Sequence, residues 1–373
     1  MNDKLNFSKY IFLLLLFIST VIVCTLLKLM ASVMIPIAIS IFIAFIFEPI
    51  IEKLTKKLHI PRILAIILVF IILIIGIYLI SQILYSSLKT IVQVLPKYEE
   101  RFNYIYRRVA EFFSLSYNEE NSIFANLWSQ MKIRQGIQDF ALSFSGGILN
   151  FFKNFVMICL FAFFFILEFK YTYKKVDLLA SKASSKQRIA RIITDVIRQV
   201  TKYISTKFFI SLLTGVIVYI GLLIIGQDFP VIWAFIAFVL NFIPNFGSII
   251  SVLVTTLFAL LQFWPEPFHI IFVFVWMTAV NFTIGNILEP RIQGKNLGLS
   301  PFVIIVSLSI WGWIWGFAGL VLGVPMMVIL KIICENFSIL QPVSVILGTP
   351  NPTQTENNNA QNNEEKPETE KTE

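Results

Sequence analysis

Cysteine and histidine are scarce in this sequence, which leaves little material for a disulfide framework or a metal centre. The 373 residues include three Cys, all in or beside apolar runs, and two His that lie far apart along the chain. Structural zinc sites and disulfide-rich folds need several such residues at close spacing. We therefore expect no bound metal and no cofactor.

Charged residues are also few, since they make up 14% of the chain against 57% for hydrophobic residues. A soluble domain usually carries roughly 25% charged residues, so the apolar surface here exceeds what one water-soluble core can bury. In lipid the backbone must satisfy its own hydrogen bonds, which helices do. The composition therefore predicts an all-α integral membrane protein in contact with membrane lipids.

The strings that mark several classes of enzyme are missing as well. There is no GxxxxGK[ST] loop for ATP and no HExxH pair of a metalloprotease. A serine hydrolase needs an activated Ser with His or Lys nearby, but both His, Lys28 and Lys331 lie outside the apolar runs or at their ends. We predict that the chain is not an enzyme.

Apolar runs of the length that crosses a bilayer, roughly 20 residues, recur along the chain. Five are uninterrupted: Tyr10 to Leu27, Leu29 to Phe47, Ile63 to Leu84, Phe151 to Leu167 and Phe208 to Ile225. A sixth, Phe268 to Leu288, lies between two longer apolar stretches, 231–261 and 301–333, that contain helix-breaking residues. The prediction is about eight transmembrane segments, two of them broken or re-entrant.

These runs and the segments between them divide the chain into six regions. They are the first three transmembrane helices (1–85), an extracytoplasmic amphipathic segment (86–149), a fourth transmembrane helix (150–169), a basic cytoplasmic amphipathic helix (170–207), a core with both interrupted stretches (208–340) and a disordered acidic tail (341–373). From Pro350 onward the tail holds six Glu and two Lys, and its polar composition cannot form a packed core.

The distribution of Lys and Arg sets the expected orientation, because positively charged loops tend to remain cytoplasmic. Residues 170–207 carry ten Lys and Arg against two Asp, whereas residues 86–149 carry seven basic and six acidic residues. The first segment is therefore predicted inside and the second outside, with both termini cytoplasmic. Apolar residues at helical spacing make both segments surface amphipathic helices. The basic face of the inner one fits anionic lipid headgroups, so we expect no nucleic-acid partner.

Both interrupted stretches place helix-breaking and polar residues in the middle of an apolar sequence. In lipid the backbone groups that Pro and Gly release must be satisfied by protein or by cavity water, and paired broken helices are typical of transport sites. Whether each stretch is a re-entrant hairpin or a single kinked span stays open. The candidate residues for a solute path are Asn241, Pro244, Asn245, Gly247 and Ser248 in the first stretch and Gly312, Gly316, Gly319, Gly323 and Pro325 in the second.

The end of the run at 268–288 adds a third group of candidates, because amides at this depth face protein or water rather than lipid. The group consists of Asn281, Asn286, Glu289, Pro290 and Arg291. Two interpretations of Glu289 and Arg291 remain open: an interfacial ion pair at a helix end, or a pair that gates the passage between the broken stretches. In the second interpretation Asn286 shares a helix face with Glu289.

Three strings in the second half of the chain are distinctive: IPNFGSII at 243–250, GNILEPRIQGKNLGLSP at 285–301 and WGWIWGFAGLVLGVPMMVILKI at 311–332. With FEPIIEKLTKKLHIPRILAI at 47–66, they resemble the autoinducer-2 exporter family, also described as PerM-type permeases, over residues 10–340. The resemblance implies a multi-pass protein of a bacterial inner membrane that forms homo-oligomers, with a pentamer as one arrangement. It is strongest to the branch that exports autoinducer-2, a quorum-sensing signal, and some members exchange sodium or lithium for protons.

The function that these features favour is secondary transport, in which the core at 208–340 exports a small polar solute such as autoinducer-2. The alternative is a sodium or lithium/proton antiporter, which needs a carboxylate that binds either ion or proton. Its candidates, Glu48, Glu168, Asp228 and Glu289, all lie at the ends of spans, where side chains reach the interface. A non-transporting membrane scaffold is a third alternative.

The topology leads to a labelling prediction. Ser184→Cys is expected to resist an impermeant thiol reagent in intact cells and Ser116→Cys to react, because the first lies in the basic segment and the second in the nearly neutral one. The measurement is mass-shift labelling before and after lysis in a background without the three native Cys. Labelling of Ser184→Cys alone in intact cells would reverse the orientation.

Overall fold

The structure is a computed structural model, and it describes residues 2–112, 154–168, 183–293, 298–337 and 340–348. Over these residues the chain is helical, with no β-strand and one isolated bridge between Leu299 and Gly348. The all-α prediction is therefore confirmed for this part of the chain. Residues 113–149 of the predicted extracytoplasmic segment lie outside the described residues. The tail that was predicted to be disordered from residue 341 begins with a helix, Gln341–Leu347, and from residue 349 it lies outside the described residues as well.

The helices are numbered in chain order. They are α1 (Asn2–Leu29), α2 (Ala31–Lys57), α3 (Arg62–Phe112), α4 (Asn154–Glu168), α5 (Ala183–Ile224), α6 (Pro230–Leu240), α7 (Phe246–Phe263), α8 (Pro267–Phe282), a π-helical turn (Thr283–Leu288), α9 (Glu289–Gln293), α10 (Pro301–Asn336) and α11 (Gln341–Leu347).

Judged by length and composition alone, six of the described helical segments could cross a membrane. They are Ala31–Lys57, Arg62–Ile91, Ile192–Ile224, Phe246–Phe263, Pro267–Ile292 and Pro301–Asn336. Three shorter apolar helices accompany them: Phe17–Leu29, Asn154–Glu168 and Pro230–Leu240. Large apolar side chains such as Ile72 and Leu257 are exposed on the outer faces, as lipid contact requires. The chain is therefore a multi-pass membrane protein, and eight segments remains a prediction.

Two helices run through the predicted region boundaries. Helix α3 is 51 residues long, so the third apolar run and the amphipathic sequence after residue 86 form one helix despite Pro96. Helix α5 is 42 residues long and joins the basic amphipathic sequence to the fifth apolar run. It has no Pro, and its first Gly is Gly215, so no residue type that commonly breaks a helix stands at the predicted boundary 207/208. In the described residues, 86–112 and 183–207, the amphipathic sequences therefore continue the neighbouring apolar runs as one helix each.

The chain forms two compact units. One contains α1, the described part of Tyr173–Val200 and the described part of Lys295–Glu373; the other contains the described residues of Met30–Thr172 and Thr201–Gly294. In the second unit, α2, α3 and α4 bury one apolar cluster that includes Ile51, Ile66 and Ile166. Helices α5 to α8 bury another, which includes Leu222 and Met277.

The first interrupted stretch folds back as a helical hairpin in the second unit. Helix α6 has 11 residues and α7 has 18, and the link between them contains Asn245 at φ 62°. The ring of Trp233, near the start of α6, lies 4.8 Å from that of Phe258, near the end of α7. At the open end the Gln262 amide donates to the carbonyl of Gly226 (2.9 Å). The two arms are therefore antiparallel.

The second interrupted stretch also folds back, within the first unit. Gly316 has φ 58° and ψ −134°, so α10 consists of two helical arms, 301–315 and 317–336. Ser307 on one arm donates a hydrogen bond to the carbonyl of Gly323 on the other (2.9 Å), and Gly319 packs directly on the carbonyl of Trp311. Of the two alternatives, hairpin or single kinked span, the structure shows the hairpin for both stretches.

The α6–α7 hairpin generates a stability prediction. A Cβ atom on Gly247 would overlap the backbone carbonyl of Leu240, whereas a Cβ atom on Gly76 in α3 meets no neighbour. Gly247→Ala is therefore expected to destabilise the protein by about 1–3 kcal/mol through overpacking. Gly76→Ala is the control and should be neutral or stabilising, because Gly inside a helix costs about 0.5–1 kcal/mol relative to Ala. Thermal unfolding of both purified variants in detergent measures the difference, and equal midpoints would contradict the close approach.

Candidate functional site

One face of α5 carries polar side chains inside the second unit. Tyr203, Lys207 and Ser211 follow each other at intervals of four residues, which places them on one side of the helix. All three are buried. A polar stripe that is buried among helices of a membrane protein points to a functional site, because such groups are expensive to keep in lipid.

Lys207 forms a buried ion pair with Glu289. Its ammonium nitrogen lies 2.8 Å from Oε1 and 2.9 Å from Oε2 of the carboxylate, and the side chains are 6% and 18% exposed. Tyr203 packs one turn before Lys207 on the same face. The structure thus gives Glu289 a different cationic partner from the predicted Arg291, whose side chain is exposed.

A π-helical turn directly precedes Glu289 and helps to set the position of its side chain beside Lys207. The turn covers Thr283–Leu288, and the N–H of Glu289 donates to the carbonyl of Ile284, five residues earlier. Pro290 has no N–H, so it cannot donate the ordinary α-helical hydrogen bond to the carbonyl of Asn286, four residues earlier. Asn286 is exposed while Glu289 is largely buried, so of these two residues only Glu289 lies in the interior.

The tip of the α6–α7 hairpin meets α5 one turn beyond the ion pair. The amide of Asn241, at the end of α6, donates to the hydroxyl of Ser211 (3.0 Å), and both residues are buried. Helix α7 then presents a buried face of Gly247, Ser251, Thr255, Ala259 and Gln262. The side-chain amide of Gln227, before α6, donates to the backbone carbonyl of Thr255 (3.4 Å).

The open end of the hairpin holds a second charged cluster around Asp228. Its N–H donates to Oε1 of Gln262 (2.7 Å), its carboxylate accepts from the hydroxyl of Tyr98, and Lys97 lies 3.9 Å away. Burial and the hydrogen bond to Asp228 raise the pKa of the Tyr98 phenol well above its ordinary value. The phenol therefore stays protonated and remains a donor to Asp228 at physiological pH.

These groups form what we name the polar column. It begins at the ion pair, passes the hairpin tip, follows the buried face of α7 and ends at the open end of the hairpin. Its members are Lys207, Glu289, Ser211, Asn241, Ser251, Thr255, Gln227, Gln262, Asp228 and Tyr98. Each charged member has an oppositely charged neighbour, so the column offers hydrogen-bonding groups with no unpaired charge.

The structure brings only some of the predicted residues into this column. Asn241 and Glu289 belong to it, and Gly247 lies on the buried face of α7. The Asn281 amide instead donates to the carbonyl of Met277 in its own helix (2.8 Å). Asn245, Asn286, Pro290 and Arg291 are exposed, and Pro244 and Ser248 are half-buried. Gly312, Gly316, Gly319, Gly323 and Pro325 belong to the α10 hairpin of the other unit.

The sequence analysis did not select several of the column residues as site candidates. Lys207 was counted with the cytoplasmic basic residues. However, it lies next to an apolar run and four residues before Ser211, and this spacing places both residues on one face of a helix. Ser251 and Thr255 repeat this spacing in α7. A search for polar residues at four-residue intervals inside apolar helices finds all four positions. Only the fold shows that Gln227 and Gln262 join them.

A second ion pair lies away from the column, among α2, α3 and α4. The guanidinium of Arg62 donates to both oxygens of Glu48, at 2.7 and 3.0 Å. Glu48 was expected to reach the membrane interface from the end of a span, but its side chain is largely buried against this arginine. In the part of the chain that the structure describes, no group of three or more His, Cys, Asp or Glu side chains is arranged to hold a metal ion.

Comparison with known proteins gives consistent matches over nearly the whole chain. The sequence profile of AI-2E family transporters matches residues 10–339. A candidate transport protein of Borreliella burgdorferi is 34% identical over 321 residues, 86% of this chain and 86% of that protein. One of Haemophilus influenzae is 30% identical over 355 residues, 93% of this chain and 98% of that protein. The AI-2 transport protein TqsA of Escherichia coli is 27% identical over 336 residues, 86% and 91% respectively. The family predicted from the sequence motifs is confirmed.

The ion pair generates a stability prediction. Lys207→Met removes the buried cationic partner of Glu289 and is expected to destabilise the protein by about 3–5 kcal/mol. The double variant Lys207→Met/Glu289→Met should recover most of this loss, because an apolar pair of similar volume can replace a buried ion pair. Thermal unfolding in detergent measures both.

The control for this pair is Lys56→Met. Lys56 also pairs with a glutamate, Glu52, but the two side chains are 76% and 51% exposed. Loss of an exposed pair costs only about 0–1 kcal/mol. Equal effects of Lys207→Met and Lys56→Met would show that the Lys207–Glu289 pair is a surface contact.

Proposed function

Because the chain belongs to the AI-2E family of transporters, we propose that it is a secondary transporter that moves a small, uncharged polar solute outward across a bacterial inner membrane. The observation that carries the proposal is the polar column. It combines hydroxyl groups, amide groups and charged groups that occur as ion pairs. Such groups can form the hydrogen bonds that water forms with a neutral polar solute outside the protein. Since the sequence has no ATP-binding loop of the Walker type, the driving force is a solute or ion gradient.

Autoinducer-2 is the first solute to test. The sequence motifs resemble the branch that exports this signal, and one relative is named as an AI-2 transport protein. A role in quorum sensing follows if this solute is transported. In the proposed arrangement, copies of the chain form a homo-oligomer, and each copy keeps its own column because all column residues come from one compact unit.

The proposed orientation assigns the two ends of the column to the two sides of the membrane. With the basic residues before Lys207 in the cytoplasm, the ion pair lies at the cytoplasmic end and Asp228 at the outer end. Both termini are then cytoplasmic. A solute that leaves the cell would meet the Lys207–Glu289 pair first and the Tyr98–Asp228 cluster last.

Transport in proteoliposomes tests the proposal. Purified protein in vesicles should equilibrate labelled autoinducer-2 faster than empty vesicles do, and Asn241→Leu should reduce the initial rate about tenfold, because a solute hydroxyl loses a hydrogen bond worth about 1.4 kcal/mol at the hairpin tip. The matched control is Asn336→Leu. The Asn336 amide donates to the carbonyl of Ile332 in its own helix, so this variant should transport at the parental rate.

The same vesicles distinguish the antiporter alternative. A sodium gradient that drives proton movement without any added organic solute would contradict solute export and support antiport, with Glu289 as the carboxylate to examine. Absence of both activities in vesicles with correctly folded protein would contradict transport altogether and leave the scaffold alternative.

A further inference from the structure

Three side-chain oxygens in the polar column have no hydrogen-bond partner among the described residues. They are Oε1 of Gln227, Oγ of Ser251 and Oγ1 of Thr255. The three residues are 2%, 1% and 0% exposed. Buried polar atoms are almost always paired in folded proteins, so three exceptions in one part of a hairpin require an explanation.

The three residues that carry these oxygens are neighbours in the fold. Ser251 and Thr255 are four residues apart on the buried face of α7, so their side chains are separated by one helical turn. The amide of Gln227 donates to the backbone carbonyl of Thr255, which places its other atom, Oε1, beside the same residue. We name these atoms the oxygen group.

The surroundings of the oxygen group are apolar and uncharged. Trp233, Ala237 and Met277, from α6 and α8, belong to the same buried cluster as Ala259, which follows Thr255 on the α7 face by one turn. The nearest acidic residue in sequence, Asp228, is engaged by Tyr98 and Lys97. The oxygen group therefore has no charged partner of its own.

We propose that Gln227, Ser251 and Thr255 form a binding subsite for the hydroxyl groups of a neutral polyhydroxylated solute. This inference rests on the proposed function and names the chemical class of its solute. An amide oxygen only accepts hydrogen bonds, whereas Ser and Thr hydroxyls accept and donate. Different hydroxyl groups of one solute can therefore donate to Gln227 and exchange hydrogen bonds with Ser251 and Thr255, so that each of the three oxygens gains a partner.

A desolvated cation fits the oxygen group less well. Three neutral oxygens would surround its charge without a carboxylate, and an uncompensated charge in an apolar environment is costly. A neutral solute carries no such cost. The charge balance of the site therefore favours a sugar-like or polyol-like ligand over sodium or lithium.

Binding of labelled D-ribose to the purified full-length protein tests the subsite. Thr255→Val removes the unpartnered hydroxyl with little change of shape, so we expect ribose affinity to fall about tenfold while the thermal midpoint stays the same or rises. Ser251→Ala and Gln227→Leu should weaken ribose binding in the same direction. Erythritol, measured in parallel, extends the test to an open-chain polyol.

The matched control is Thr214→Val. Thr214 is as buried as Thr255, but its hydroxyl donates to the carbonyl of Ile210 (2.9 Å), so it has its partner within α5. This variant should bind ribose with parental affinity. A tenfold loss in Thr255→Val and none in Thr214→Val would support the subsite.

Three results would overturn the inference. The first is parental ribose affinity in both Thr255→Val and Ser251→Ala. The second is the lack of saturable binding of either ribose or erythritol by the parental protein. The third is a thermal stabilisation by sodium that Thr255→Val abolishes and Thr214→Val does not. That result would assign the oxygen group to a cation. The proposed function is tested separately by transport in vesicles, and it would be contradicted if the parental protein moved no solute there.

Discussion

The need to satisfy the backbone polar groups that a broken helix releases governs the structure around the α6–α7 hairpin. A helix that stops within an apolar environment releases backbone donors and acceptors that lipid cannot satisfy. At the open end of the hairpin the Gln262 side chain satisfies two backbone groups, because it donates to the carbonyl of Gly226 and accepts from the N–H of Asp228. At the tip the side-chain amide of Asn241 donates to the hydroxyl of Ser211. Side chains of α5 and α7 thus form hydrogen bonds near both ends of α6.

The same constraint explains why the charges in the column occur as pairs. A lone Lys207 or a lone Glu289 at this position would need water or a counterion. Together they allow two strongly polar groups to remain among packed helices while the column as a whole stays electrically balanced. The proposed solute path would therefore suit a solute that forms hydrogen bonds but carries no charge, which is also the class of solute that we propose for the oxygen group.

The general architecture could be predicted from the sequence, but the partners in the site could not. Long apolar runs and clustered Pro and Gly identify the helices and the two breaks, because these signals are local. The partner of Glu289 is 82 residues away in the chain, and no spacing rule connects it to Lys207. Arg291 was the nearest cation in sequence and was chosen for that reason. The boundaries at 85/86 and 207/208 were also local expectations, and helical continuity in α3 and α5 overrides the change in composition there.

The π-helical turn at Thr283–Leu288 makes the position of Glu289 depend on the number of residues before it as much as on their type. Successive residues of an α-helix are rotated by about 100° around the axis, and a π-helical turn contains one residue more than an α-helical turn. The turn already holds this extra residue, so no ordinary helical turn can absorb one more residue inserted within 283–288. Such an insertion would preserve nearly the whole composition of the segment. It would also turn α9 by about one residue's rotation and carry the Glu289 carboxylate away from Lys207. The ion pair is thus encoded partly by length.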